Sequence, residues 1–106
     1  MTSFALEILT PARRVFAGES ESIVLPGFEG SFGVLAGHIP LLARLSAGRI
    51  MIRQGTQEHY FNCGPGVADV DPKHVTVLVD SAEEELTKAS LGRPIQKENQ
   101  PRMNTD

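Results

Sequence analysis

Gly27, Gly30 and Gly33 recur at three-residue spacing, and a glycine run of this kind is one way for a chain to cradle a phosphate with backbone N–H groups. That chemistry needs a Lys-Ser or Lys-Thr pair behind the glycines and a helix N-terminus aimed at the anion. Neither follows here, because the sequence runs from Gly33 into Val34-Leu35, so the glycines read as turn residues. His38, His59, His74 and Cys63 are of the types that ligate transition metals, but no two stand at short ligand spacing. They read as surface histidines and a core cysteine. Ser20, Ser22 and Ser31 supply hydroxyls, yet none lies in a G-x-S-x-G elbow. Glu19 and Glu21, at i and i+2, fall on one strand face as solvated charge. The side chains therefore offer no catalytic centre, no metal site and no cofactor site.

The segment Glu29-Gly30-Ser31-Phe32-Gly33-Val34-Leu35-Ala36-Gly37-His38-Ile39-Pro40-Leu41-Leu42 has a different character. It sets turn-forming residues and one histidine between apolar runs, which suits a loop that presents backbone and a few side chains to a partner. The elements that must hold it repeat with a period of two. Phe4, Leu6 and Ile8 alternate with Ala5, Glu7 and Leu9 before Thr10-Pro11 stops the run. Short strands are predicted at 14–17 and 22–25, the second closed by a Pro26-Gly27 turn, and another over 31–35. The apolar run 41–45 fits a strand or one helical turn, and strand is preferred. Residues 49–54 and 58–63 read as a β-hairpin about Gly55-Thr56. Strands at 67–70 and 74–79 complete the series, with Val75, Val77 and Val79 on one face. Many short strands at close spacing predict an all-β sandwich or flattened barrel.

A chain of 106 residues has room for one domain with a single modest core. Its net charge of -3 and scattered Lys and Arg give no footprint for nucleic acid or anionic lipid. No apolar run approaches a membrane span. The opening Met1-Thr2-Ser3-Phe4 lacks the basic and apolar regions of a secretory signal, and with Cys63 as the only cysteine a reducing, cytosolic setting is expected.

The last quarter changes character. Ser81 is placed to cap a helix whose Glu84 completes a capping box, with Glu83, Glu84 and Glu85 in the turn where the helix dipole favours negative charge. The expected organisation is a β-sandwich over 1–81, a short helix over 82–91 ended by Gly92-Arg93-Pro94, and a flexible polar tail over 92–106.

Four segments taken together resemble the N-terminal domain of the F-type ATP synthase epsilon subunit family. They are Leu6 to Pro11, Val15 to Glu19, Pro26 to Leu42 and Val75 to Glu83, in order and in register, with Gly37-His38-Ile39-Pro40-Leu41-Leu42 the most specific. The resemblance implies a ten-stranded β-sandwich at the foot of the rotor's central stalk. Such a subunit binds gamma and the c-ring, helps couple proton or sodium transport to ATP synthesis, and catalyses nothing by itself. It implies a place at the cytoplasmic face of the bacterial inner membrane, or an equivalent energy-transducing membrane, held there through the complex, with no cofactor and no small-molecule substrate. By position, Glu29, Gly30, Ser31 and Phe32 would face the c-ring, and Thr10, His38 and Ala43 would lie near gamma or the ring junction. Ser31 stands where the family usually has an acid, and Ala36 where proline is common. Family members usually continue into two antiparallel helices. Here a single helix is expected, without the inhibitory and nucleotide-sensing roles of that pair. A generic all-β protein-binding adaptor is the competing reading.

Overall fold

The computed structural model describes residues 2–85. Within them the two-residue alternation becomes ten strands: β1 (Phe4–Leu9), β2 (Arg14–Ser20), β3 (Ser22–Gly27), β4 (Gly30–Leu35), β5 (Leu41–Leu45), β6 (Gly48–Gln54), β7 (Gln57–Cys63), β8 (Gly66–Val70), β9 (His74–Val79) and β10 (Ala82–Glu85). Side chains on a strand point alternately to opposite faces, so the apolar residues of each run gather on one side. Phe4, Leu6 and Ile8 of β1, Ile50 and Ile52 of β6, and Val75, Val77 and Val79 of β9 are all buried in one core.

The strands form two layers, β4-β3-β6-β7-β10 and β5-β8-β9-β1-β2. Neighbours are antiparallel except β1 and β9, which run parallel from Ala5↔His74 to Leu9↔Leu78. The layers join through one β3–β5 pair, Gly27↔Leu45. At the opposite margin side chains close the seam: the Phe16 ring of β2 meets Phe61 of β7 edge-on at 5.9 Å, and Gln54 Nε2 donates to the Glu19 carbonyl at 2.6 Å. Among the described residues there is no helix, and the all-β sandwich is as expected.

Two turns show local chemistry at work. Gln54↔Gln57 flank Gly55-Thr56, and Gly55 takes φ 63°, a left-handed conformation that costs a residue with a Cβ about 1–2 kcal/mol. Between β8 and β9, Asp71 Oδ1 accepts from the N–H groups of Lys73 and His74 at 2.9 and 2.8 Å. These two donors, Lys73 first, hold the Asp71 carboxyl below its usual range.

Two sequence expectations are corrected. Pro26-Gly27 is not a turn: β3 continues through both residues, and the turn is Phe28-Glu29, flanked by Gly27↔Gly30. Pro26 is tolerated there because no ladder partner needs its missing N–H, and its carbonyl still accepts from Ser46 N–H at 2.9 Å. The helix expected from Ala82 does not begin. Ala82–Glu85 is the edge strand β10, antiparallel to β7 from Ala82↔Cys63 to Glu85↔Tyr60. The rest of that expected helix, 86–91, and the expected tail, 92–106, lie outside the described residues.

The tertiary reason for β10 lies in β7 and β6, which supply partners a helix would forgo. Gly64 N–H donates to Ser81 O, so Ser81 serves a chain reversal rather than a helix cap. His59 Nδ1 lies 3.2 Å from Glu84, and Arg49 Nε donates to Glu85 at 3.0 Å while its guanidinium stacks 4.2 Å from the Tyr60 ring. On the same edge Tyr60 donates to Glu58, a bond that raises the Tyr60 pKa by favouring the protonated phenol.

Candidate partner-binding site

The β3–β4 hairpin and β5 enclose a concavity at the segment singled out by sequence. Gly27 pairs with Gly30 on one side and Leu45 on the other, so two strands leave one residue in different directions. A Cβ on Gly27 would sit 2.5 Å from the Gly30 carbonyl oxygen and 2.9 Å from Phe32, so this corner closes only with glycine. Phe28 N–H donates to Arg44 O at 2.8 Å, fixing the hairpin tip against β5. The Arg44 guanidinium lies 4.1 Å from the Phe28 ring centroid, a cation–π contact that covers one face of the ring. The result is a cleft of about 310 Å³ bordered by Phe28, Glu29, Gly30, Phe32, Ala43 and Arg44.

The structure brings four of the expected residues to this cleft and separates the other three. Glu29 and Gly30 form the exposed tip, and Ala43 lines the β5 wall. Phe32 borders the cleft but is half-buried against the core, so it is a structural residue as well as a contact. Ser31 is exposed on β4 beside the cleft, outside its lining. His38 lies beyond the far end of β4, where its N–H donates to Leu35 O at 3.1 Å and its ring contacts Ile39 O at 2.7 Å. Thr10 closes the β1–β2 turn by donating its N–H to Arg13 O at 2.9 Å, with β8 and β9 between it and β5.

Sequence reasoning missed Phe28, Leu41, Leu42 and Arg44 as site residues. A signal existed: two consecutive leucines in a short strand cannot both face the core, and Arg44 shares the outward parity of Leu42. Among the described residues six large hydrophobic side chains stand exposed, and Phe28, Leu35, Ile39, Leu41 and Leu42 all fall within 28–42, with Ile39 74% and Leu42 73% exposed. Five exposed apolar side chains within fifteen consecutive residues exceed the single, scattered apolar residues usual on a protein surface. Cys63, the thiol whose pKa burial pushes up, lies in the core beneath β10. The geometry suits contact, not acid–base or nucleophilic chemistry.

Known proteins share this sandwich. The family model described as the ATP synthase Delta/Epsilon chain, beta-sandwich domain, matches residues 3–85. An ATP synthase epsilon chain of Maridesulfovibrio salexigens is 41% identical over 78 residues, covering 74% of this chain and 55% of the relative. That of Afipia carboxidovorans is 36% identical over 92% of this chain and 73% of the relative. In Caulobacter vibrioides the epsilon chain is 36% identical, and the match covers 79% of this chain and 98% of the relative. The chain thus spans little more than half the length of one relative and nearly all of another. Among solved structures, a chain of the Euglena gracilis mitochondrial ATP synthase, OSCP/F1/c-ring in rotational state 1, superposes with TM-score 0.75 at 20% identity, over 88% of this chain and 61% of that one. A chain of the Tetrahymena thermophila mitochondrial ATP synthase central stalk/c-ring gives TM-score 0.64 at 14% identity, over 77% and 66%. Those two likenesses show the fold, and the sequence matches go further: this chain belongs to the ATP synthase delta/epsilon family through its β-sandwich domain.

Proposed function

We propose that this chain is an epsilon subunit of an F-type ATP synthase, a non-catalytic foot of the central stalk that holds gamma and the c-ring together while they turn. In this role it helps couple proton or sodium transport to ATP synthesis. The observation that carries the reading is the gathering of exposed apolar residues within 28–42 around the β3–β4/β5 opening, in a chain of this family. A rotating foot must transmit torque through distributed contacts, and a ten-stranded sandwich with a buried apolar core gives a stiff body to carry them. Glu29, Gly30, Ser31 and Phe32 are assigned to the ring, and Thr10, His38 and Ala43 to gamma or the ring junction. With Ser31 at a position where the family usually has an acid, its contact is a hydroxyl hydrogen bond rather than an ion pair.

The subunit would reach the cytoplasmic face of an energy-transducing membrane through the complex, without inserting a segment of its own. Family membership favours this reading over a free-standing adaptor. The test is purification of the tagged chain from its host's membranes under native conditions. Gamma and c subunits are expected with it in the same complex. A folded chain that emerges without ATP synthase subunits overturns the proposal.

A further inference from the structure

The sheet runs from β10 at one end of its strand order to β2 at the other, and among the described residues no ladder joins β2 to β6, β7 or β10. Side chains bridge that seam instead. Gln54 of β6 donates from Nε2 to the Glu19 carbonyl of β2 at 2.6 Å, and its Oε1 lies 3.0 Å from His59 Nε2 on β7. The other ring nitrogen, Nδ1, lies 3.2 Å from Glu84 Oε2 on β10. A chain of polar groups therefore links β2, β6, β7 and β10, and an imidazole stands in the middle of it.

The direction of each hydrogen bond is forced. The Glu19 carbonyl only accepts, so it takes the Gln54 amide N–H and leaves the Gln54 carbonyl oxygen facing the ring. An ionised Glu84 carboxylate only accepts as well. His59 thus stands between two acceptors, and a neutral imidazole has a single N–H to give. Both contacts become hydrogen bonds only when both ring nitrogens carry protons, and that form also sets a positive ring against the Glu84 carboxylate. Around the ring β10 contributes this carboxylate, β6 the uncharged Gln54 and Ile52, and β2 the Phe16 ring, with its centroid 5.8 Å away. Nearby charges are engaged elsewhere: Glu58 takes the Tyr60 hydroxyl, the Glu19 carboxylate takes Ser3, and Arg49 holds Glu85. Arg53, opposite Glu58, and Glu83, next to Glu84, alternate to the outer face.

We infer that His59 is a proton-operated clasp on this seam: the doubly protonated ring ties β10 and β7 to β6 and β2, and loss of one proton releases one of the two ties and loosens β10. The release is felt at β10 because that strand is four residues long and pairs on one side only. Histidine side chains change charge between about pH 5 and pH 8, so the clasp is closed at the acidic end of that range and open at the basic end. The sign follows from linkage, since a tie made only by the protonated ring stabilises the strand at low pH and is lost as the proton leaves.

The test is residue-resolved amide exchange on the isotopically labelled full chain at about pH 5.5 and about pH 8, each rate divided by the intrinsic rate at that pH. Protection at Glu83, Glu84 and Glu85 is expected to be about threefold or more greater at the lower pH, while the amides of β1 change by less than about 1.5-fold. The NMR shifts of the His59 ring nitrogens are expected to show both protonated at the lower pH, and one proton lost over the interval in which protection falls. Glu84→Gln offers an amide that donates to the bare nitrogen of a neutral ring, so it keeps the clasp shut at both pH values and flattens the profile to within about 1.5-fold. Should Glu84→Gln fail to fold, the wild-type protection and the ring shifts decide together. Equal β10 protection at the two pH values in the wild-type chain overturns the clasp. So does a wild-type profile retained in folded Glu84→Gln, which would place the titrating group elsewhere. Neither result bears on the epsilon role, because the free chain alone is measured.

Discussion

Replacing Ile39 and Leu42 together with serine separates folding from partner binding more cleanly than any other change in this molecule. Complete burial of an Ile or Leu side chain is worth about 1.5–3 kcal/mol. Both residues are still about three quarters open to solvent, at 74% and 73%. Docking on this face therefore has roughly 1–2 kcal/mol to gain from each, or about 2–4 kcal/mol from the pair. In Kd that is roughly 30- to 700-fold. The same openness means folding loses little, and unfolding stability should stay within about 0.5 kcal/mol per site. Isothermal titration of the double variant against purified gamma, beside thermal unfolding of the free chain, reads both quantities. Binding within about threefold of wild type with an unchanged melting temperature would show that the exposed apolar set is not the contact face. A large loss of stability would show that the two side chains hold the sandwich, contrary to their exposure.

Three further changes probe the frame. In Gly66→Ala the new Cβ would run into the Leu78 carbonyl oxygen and lie 2.7 Å from Val79 Cα, so β8 and β9 must part; a loss of about 2–3 kcal/mol and a fall of roughly 10–20 °C in Tm is expected by calorimetry. His59→Ala removes contacts with Gln54, Glu84 and the Phe16 ring at once. Amide exchange at Glu83–Glu85 should quicken more than exchange in β1 and β9, and equal changes in both would refute a local role. For Asp71, donors present only in the fold hold the folded pKa below the unfolded value near 3.9. Its contribution to stability is therefore complete above that unfolded value and lost as pH falls through the folded one. Asp71→Asn should flatten that part of the acid stability profile, and an unaltered acid limb would show that the Asp71 turn does not contribute.

Much of the fold was legible because burial on one face imposes alternation. The core positions of β1, β6 and β9 follow from it, and Gly55-Thr56 marks a hairpin by itself. The misreadings arose where local and tertiary preferences conflict. Pro26-Gly27 has turn chemistry, yet the core position of Leu25 and the close corner at Gly27 carry the strand through it. Ser81 to Glu84 has a capping pattern, but the open edge of β7, with His59 and Arg49 placed for Glu84 and Glu85, draws these residues into a strand. At the site, the turn was read at Pro26-Gly27, one step before the actual tip at Phe28-Glu29. The cleft was hidden because no periodicity records that β4 and β5, adjacent in sequence, stay unpaired in space. Thr10, His38 and Ala43 were grouped together on resemblance, apart from the tip, while strand geometry spreads these three positions across the sandwich.

Thiol accessibility in the assembled rotor tests the central claim most directly, since the native Cys63 is buried and gives little background. Cysteine placed at Leu42, on the exposed apolar face, and at Asn62, exposed on β7, would be labelled in the free chain and in a complex with gamma and the c-ring. Assembly is predicted to block labelling at 42 and leave 62 reactive. Equal labelling of position 42 before and after assembly would contradict the account.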